Sequence, residues 1–164
     1  MKTKIIILTF ISSILVVTAS CKKDDSATND TANKTTVRSA SWKIGSSSFS
    51  DSKPYIGIFT SNGNVSNTMT LTAADGSIIE FNFDGTSNAT FQLDSYSDAY
   101  YKNAAGKQFN STSGELIVTS YTTTDNTRKA TGTFHFKALA TQAPYDSLEI
   151  TTGVFTNASN EFGK

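Results

Sequence analysis

The sequence predicts an all-β domain, an antiparallel meander of roughly eight to ten strands. Three observations carry that expectation: large apolar residues alternate with polar ones, turn sequences recur at short spacing, and no segment past residue 20 has helical periodicity. Composition agrees, with 11 Phe, 6 Tyr and only 2 Pro in 164 residues, against a background rich in Thr and Ser. Ile79, Phe81 and Phe83 alternate with Glu80 and Asn82, which places three large side chains on one face of a strand. Ala89, Phe91 and Leu93 repeat the pattern. Asp84-Gly85 between the two runs supplies positive φ, so the pair reads as a hairpin.

The remaining strands follow from their turns. Met69 and Leu71 lead into Ala73-Ala74-Asp75-Gly76, and residues 55–60 lead into Ser61-Asn62-Gly63-Asn64. The chain around Trp42 adds a strand near the start, with the indole packed rather than displayed. Ala99-Tyr100-Tyr101 and Gln108-Phe109 flank Asn103-Ala104-Ala105-Gly106-Lys107 as a longer hairpin. Residues 115–124, 130–138 and 147–157 close the series, separated by Asp125-Asn126-Thr127-Arg128 and by a loop containing Pro144. Such strands must close into a barrel or pack as a two-sheet sandwich, since an open sheet would leave its apolar face wet. Sequence alone leaves both open.

Three segments are expected: a signal helix over 1–20, a lipidated disordered tether over 21–38, and the β domain over 39–164. Lys2 and Lys4 precede an apolar stretch, Ile5 to Val17, that is too short for a retained transmembrane helix. Thr18-Ala19-Ser20-Cys21 resembles the lipobox of bacterial lipoproteins, with Thr18 where Leu is usual. The resemblance implies cleavage before Cys21 and a lipid (diacylglycerol, palmitate) on its thiol. Cys21 is the only cysteine of the chain, so no internal disulfide can form. From Lys22 to Arg38 the chain is polar, with Val37 its only large aliphatic residue, and it lacks any face to bury.

Lys23-Asp24-Asp25 resembles the surface-export tag of Bacteroidota lipoproteins, which implies an outer-membrane, outward-facing address. Asp25-Ser26-Ala27 and Asp30-Thr31-Ala32 resemble the O-glycosylation motif of the same group, which makes Ser26 and Thr31 candidate acceptors. A longer similarity rests on Gly132-Thr133-Phe134-His135-Phe136-Lys137-Ala138 and on Ile150-Thr151-Thr152-Gly153-Val154-Phe155. These resemble the closing strands, GTFxFxA and ITxGxF, of small Bacteroidota lipoproteins grouped as a domain of unknown function. That resemblance implies an all-β envelope protein and assigns no chemistry. The motif has a physical sense: Gly132, Phe134, Phe136 and Ala138 share one face, and Gly153 suits a bulge.

Charge and side-chain chemistry narrow the function classes. The chain holds 14 basic and 14 acidic residues. Loss of Lys2 and Lys4 with the signal leaves 12 against 14, a net charge of −2, so nucleic acid is not an expected partner. His135, the only histidine, alternates with Phe134 and Phe136 and points away from their face. Without a buried base, a nucleophile elbow or a free thiol, no enzyme and no cofactor are expected. Asp94-Ser95-Tyr96-Ser97-Asp98 spaces oxygen ligands but lacks the Gly and Glu of a calcium loop; it reads as a hydrogen-bonded turn, and no metal is expected.

Tyr96, Tyr100 and Tyr101 lie within six positions and are the candidate ligand platform, since a phenol offers an apolar face with a polar rim. The competing reading has these rings close one end of the core. The functional expectation is a surface-exposed, non-enzymatic lipoprotein, held to the membrane through Cys21, that binds a glycan, peptide or envelope protein. The alternative is a structural accessory subunit of an outer-membrane complex.

Overall fold

The structure, a computed structural model, describes residues 37–61, 63–124 and 127–160. The signal segment, Cys21, Ser26 and Thr31 lie outside the described residues. Ten strands form one sheet: β1 (Ser39–Ile44), β2 (Ser47–Asp51), β3 (Tyr55–Ser61), β4 (Asn64–Thr72), β5 (Ile78–Asp84), β6 (Ala89–Gln92), β7 (Ala99–Lys102), β8 (Gln108–Thr124), β9 (Thr127–Ala140) and β10 (Ser147–Ser159). No described residue is helical.

Seven strands, β3, β4, β5, β7, β8, β9 and β10, are paired in a closed ring. All of its contacts are antiparallel ladders except the last, a single parallel pairing of Ser159 with Tyr55 where β10 meets β3. The β1–β2 hairpin hangs on the outer edge of β10, and β6 hangs on β8.

Alternation dictates which side chains fill the ring. On β5, Ile79, Phe81 and Phe83 are buried while Asn82 and Asp84 are exposed; on β9, Phe134, Phe136 and Ala138 are buried while His135 and Lys137 are exposed. Phe81 packs edge-on against Phe134 at 4.9 Å and against Phe136 at 5.8 Å, and Phe155 lies 6.4 Å from Phe134. Trp42 is fully buried and stacks on Phe49 at 5.8 Å, so it serves packing, as its place on an early strand predicts.

The glycines at 132 and 153 have a reciprocal role. In the β9–β10 ladder Phe134 lies opposite Gly153 and Phe155 opposite Gly132. A Cβ at Gly153 would strike the Phe134 ring; one at Gly132 would strike the Phe155 ring and the Ile117 carbonyl oxygen. Each bare glycine thus lets an aromatic ring lie across the backbone of the neighbouring strand. The expected bulge occurs here: register shifts between Ile150 and Gly153, with Thr152 at φ 49°, and again before Ala158, with Asn157 at φ 52°.

Three expected turns hold, each with a glycine at positive φ: Gly63 between β3 and β4, Gly76 between β4 and β5, and Gly106 between β7 and β8. Two sequence expectations are corrected. Segments 79–83 and 89–93 do not form a hairpin: β5 pairs with β4 and β7, and β6 pairs with β8 alone. The alternation is right about faces, but the four residues between Asp84 and Ala89 carry the chain across to β8 rather than back along β5. Segments 108–109 and 115–124 are one strand, β8, whose register against β9 shifts between Ser111 and Ser113 and whose backbone takes φ 142° at Gly114. Gly114 sits so close to the β9 backbone at His135 and Phe136 that no Cβ fits.

Candidate functional site

One edge of β8 runs beside β9 for almost its whole length, while the other is divided. Residues 108–110 pair with β7 and residues 115–118 pair with β6, so the loop 93–98 interrupts what would otherwise be one partner strand. Leu93 remains in the core, donating its N–H to the Gly114 carbonyl at 2.9 Å, and the chain then turns outward.

This loop is a closed hydrogen-bonded turn, as its Asp and Ser residues predict. Asp98 Oδ2 accepts the Ser95 N–H at 2.8 Å, and the Asp98 N–H donates to the Ser95 carbonyl at 3.1 Å. Ser111, fully buried on β8, fastens both ends: its hydroxyl donates to the Ser95 carbonyl at 2.7 Å and accepts the Ala99 N–H at 3.2 Å.

A second loop, 141–146, stands beside it. The Thr141 N–H donates to the Gln108 carbonyl at 3.0 Å, and the Ala140 N–H donates to the Asp146 carbonyl at 2.9 Å. Lys107 Nζ pairs with Asp146 Oδ2 at 2.5 Å, donates to the Pro144 carbonyl at 3.0 Å, and lies 5.4 Å from the centre of the Phe109 ring.

Between the loops is a recess of about 280 Å³ lined by Tyr96, Asn110, Leu139, Ala140, Thr141 and Tyr145. Tyr96 is 62 % exposed and Tyr145 70 % exposed, so two phenol rings stand beside the apolar side chains of Leu139 and Ala140. An amide and a hydroxyl, from Asn110 and Thr141, supply directional contacts. Such a surface can stack on an apolar ring face and hydrogen-bond groups at its edge.

The three tyrosines of the sequence platform are not brought together. Tyr96 is at the recess. Tyr100 projects from the outer face of β7 and donates its hydroxyl to Glu80 Oε2 at 3.1 Å. Tyr101, two-fold alternation away, is only 6 % exposed and packs 6.0 Å from Phe109. Burial and the Glu80 carboxylate both hold the Tyr100 phenol above its ordinary pKa. Burial raises that of Tyr101 too, opposed by the Ser77 hydroxyl and assisted by Asp75. Tyr145, which shares the recess with Tyr96, is not reached by sequence clustering because it lies 49 positions away; an aromatic in the Pro144 loop is the available signal.

His135 is exposed, as expected, and lines a groove of about 420 Å³ on the outer face with Glu115, Lys137 and Glu149. Among the described residues no group of three or more His, Cys, Asp or Glu side chains is placed to hold a metal ion.

The fold and recess together define a small all-β ring domain with a braced aromatic rim. The chain belongs to the family described as Domain of unknown function (DUF6252), whose match spans residues 28–159. No curated protein and no solved structure matches the chain.

Proposed function

We propose that this protein is a lipoprotein of the cell envelope, anchored through Cys21 to the outer membrane and facing the exterior, whose β domain binds a ligand in the Tyr96–Tyr145 recess without transforming it. One observation carries the binding reading: two widely exposed tyrosines flank a single recess whose loops are both fastened at β8, one by Ser111 and the other by Gln108 together with Lys107, the residue before the strand. Preorganised aromatic rims lower the ordering cost of binding. The recess suits a sugar ring, which presents an apolar C–H face to a phenol and hydroxyls to an amide. The anchoring reading is supported by the sole cysteine at the end of a signal-like segment and by the Lys23-Asp24-Asp25 sequence after it.

A glycan array probed with the parent and with Tyr96→Ala/Tyr145→Ala tests the recess. Signal in the parent and its loss in the variant are expected; equal signal from both, or none from the parent, overturns the reading. Intact mass of the purified protein, with protease accessibility on whole cells, tests the anchor. A lipid adduct on Cys21 and surface cleavage are expected, and Cys21→Ala is expected to release the protein. A stoichiometric envelope partner that covers the recess would instead favour the accessory-subunit alternative.

A further inference from the structure

The gap between β5 and β6, on the other side of the 93–98 loop, is a second recess and has a different character. It is a groove of about 620 Å³, floored by Phe83 and Phe91, whose rings are 4.9 Å apart. Backbone phase shows what its walls offer. The Leu93 N–H donates to Gly114, so on β6 residues 89 and 91 turn their amide and carbonyl groups to β8. Thr90 and Gln92 therefore turn theirs away from β8, toward β5, and β6 has no partner on that edge. On β5 the Asn82 N–H donates to the Asp98 carbonyl. Asp84, two residues on, turns its backbone groups to the same side, where β7 has already ended.

The groove is thus bordered on both walls by main-chain donors and acceptors of strands that do not pair with each other. Its side chains are acidic and polar: Asp84 and Asp98 contribute carboxylates, Asn82 and Gln92 amides, and no Lys or Arg lines it. We propose that this groove is a strand-addition site, receiving one extended peptide segment that bears Lys or Arg and that completes the ladder between β5 and β6. Main-chain hydrogen bonds to Thr90, Gln92 and Asp84 give the affinity, and the two carboxylates select a cationic side chain. A β6 of four residues also matches how proteins shorten an edge to keep other strands away. The acidic border with no basic counterpart is what distinguishes a receiving groove from a merely protected edge. The groove and the tyrosine recess share no lining residue.

The test uses the full-length protein in detergent and a synthetic heptapeptide, Thr-Val-Lys-Val-Lys-Val-Thr, acetylated and amidated, whose alternation puts Val toward Phe83 and Phe91 and Lys on the outer face with Asp84. Amide hydrogen exchange is followed by NMR at Thr90 and Gln92. The expected result is saturable protection of these two amides at millimolar peptide, with about tenfold weaker binding when alternate peptide nitrogens are methylated. Asp84→Asn/Asp98→Asn, which keeps an acceptor for Ser95, should also weaken binding, and so should exchanging the peptide lysines for glutamates. Tyr96→Ala/Tyr145→Ala should leave peptide binding unchanged. No protection with peptide overturns the proposal, as does equal affinity for the methylated peptide. Concentration-dependent protection without peptide overturns it too, because the edge would then be occupied by a second copy. Thr90→Pro, which deletes one donor, serves as a further variant if it folds.

Discussion

The two edges of β8 share a backbone and differ in what they are asked to do. Toward β9 the ladder runs from Phe109–Ala140 to Thr124–Thr127, broken only by two register shifts. Behind it lie the fully buried Phe134, Phe136 and Phe155 and the glycines that let those rings cross. Toward β6 and β7 the ladder is split by the 93–98 loop, and both recesses open beside that split. Continuous pairing buries aromatic surface on its inner face, and on its outer face carries the groove at His135 and, at the Asn110–Leu139 pair, the floor of the tyrosine recess. Interruption costs ladder hydrogen bonds, offsets part of that loss through the Ser111 and Asp98 contacts, and leaves concave surface. Aromatic packing is thus concentrated along the β9 edge, while both recesses depend on the loop that splits the other edge.

The largest expected difference between the edges is in core truncation. Phe134→Ala removes a fully buried ring in contact with Phe81 and Phe155, and should cost about 3 to 5 kcal/mol in denaturant unfolding. Phe91→Ala removes a half-buried ring at the split edge and should cost less than half as much. Equal losses would mean that the two edges are energetically alike and would break the comparison.

A smaller effect is expected from Ser111→Ala. It deletes the donor to Ser95 and leaves the Ala99 N–H without its acceptor. Global stability should fall by about 1 to 2 kcal/mol. Amide exchange should rise selectively at residues 95–99, with the β8–β9 amides changed only by the global amount. A uniform rise across both edges would show that the loop is not a separately braced unit.

Much of the continuous edge was legible in the sequence, because alternation fixes faces directly. Parity alone puts Gly132, Phe134, Phe136 and Ala138 on one face and His135 on the other, and the ladder keeps that parity. The split edge was less legible. Parity placed Phe83 and Phe91 inward correctly, yet it says nothing about which strand is the neighbour, so adjacency in sequence stood in for adjacency in space. The actual partner of β6 depends on the Gly114 carbonyl accepting the Leu93 N–H and on Leu93 returning to the core, both long-range events. Tyrosine clustering in sequence failed for the same parity reason that served β9: Tyr100 and Tyr101 are neighbours and so must face opposite ways. Tyr96 and Tyr145 line one recess because the two loops that carry them fasten to neighbouring positions of β8.

The smallest effect is electrostatic and separates the two faces of β7. Tyr100 and Tyr101 both have phenol pKa values raised above the ordinary 10.0, each through burial first, with Glu80 adding to the shift at Tyr100 and Asp75 at Tyr101. A raised folded-state pKa means that the fold prefers the neutral phenol. The associated stability is fully present below pH 10, where the unfolded chain keeps its phenols protonated, and is lost as pH rises through the folded-state value. Unfolding midpoints should therefore be flat with respect to these groups through neutral pH and fall above pH 10. Tyr100→Phe should shallow that alkaline fall while changing stability little at pH 7, because its Glu80 contact is on the outer face and partly solvated. Tyr101→Phe should shallow it as well, and with retained packing against Phe109 the domain should stay folded. If neither variant changes the slope above pH 10, the alkaline response originates elsewhere, and β7 does not couple the split edge to pH.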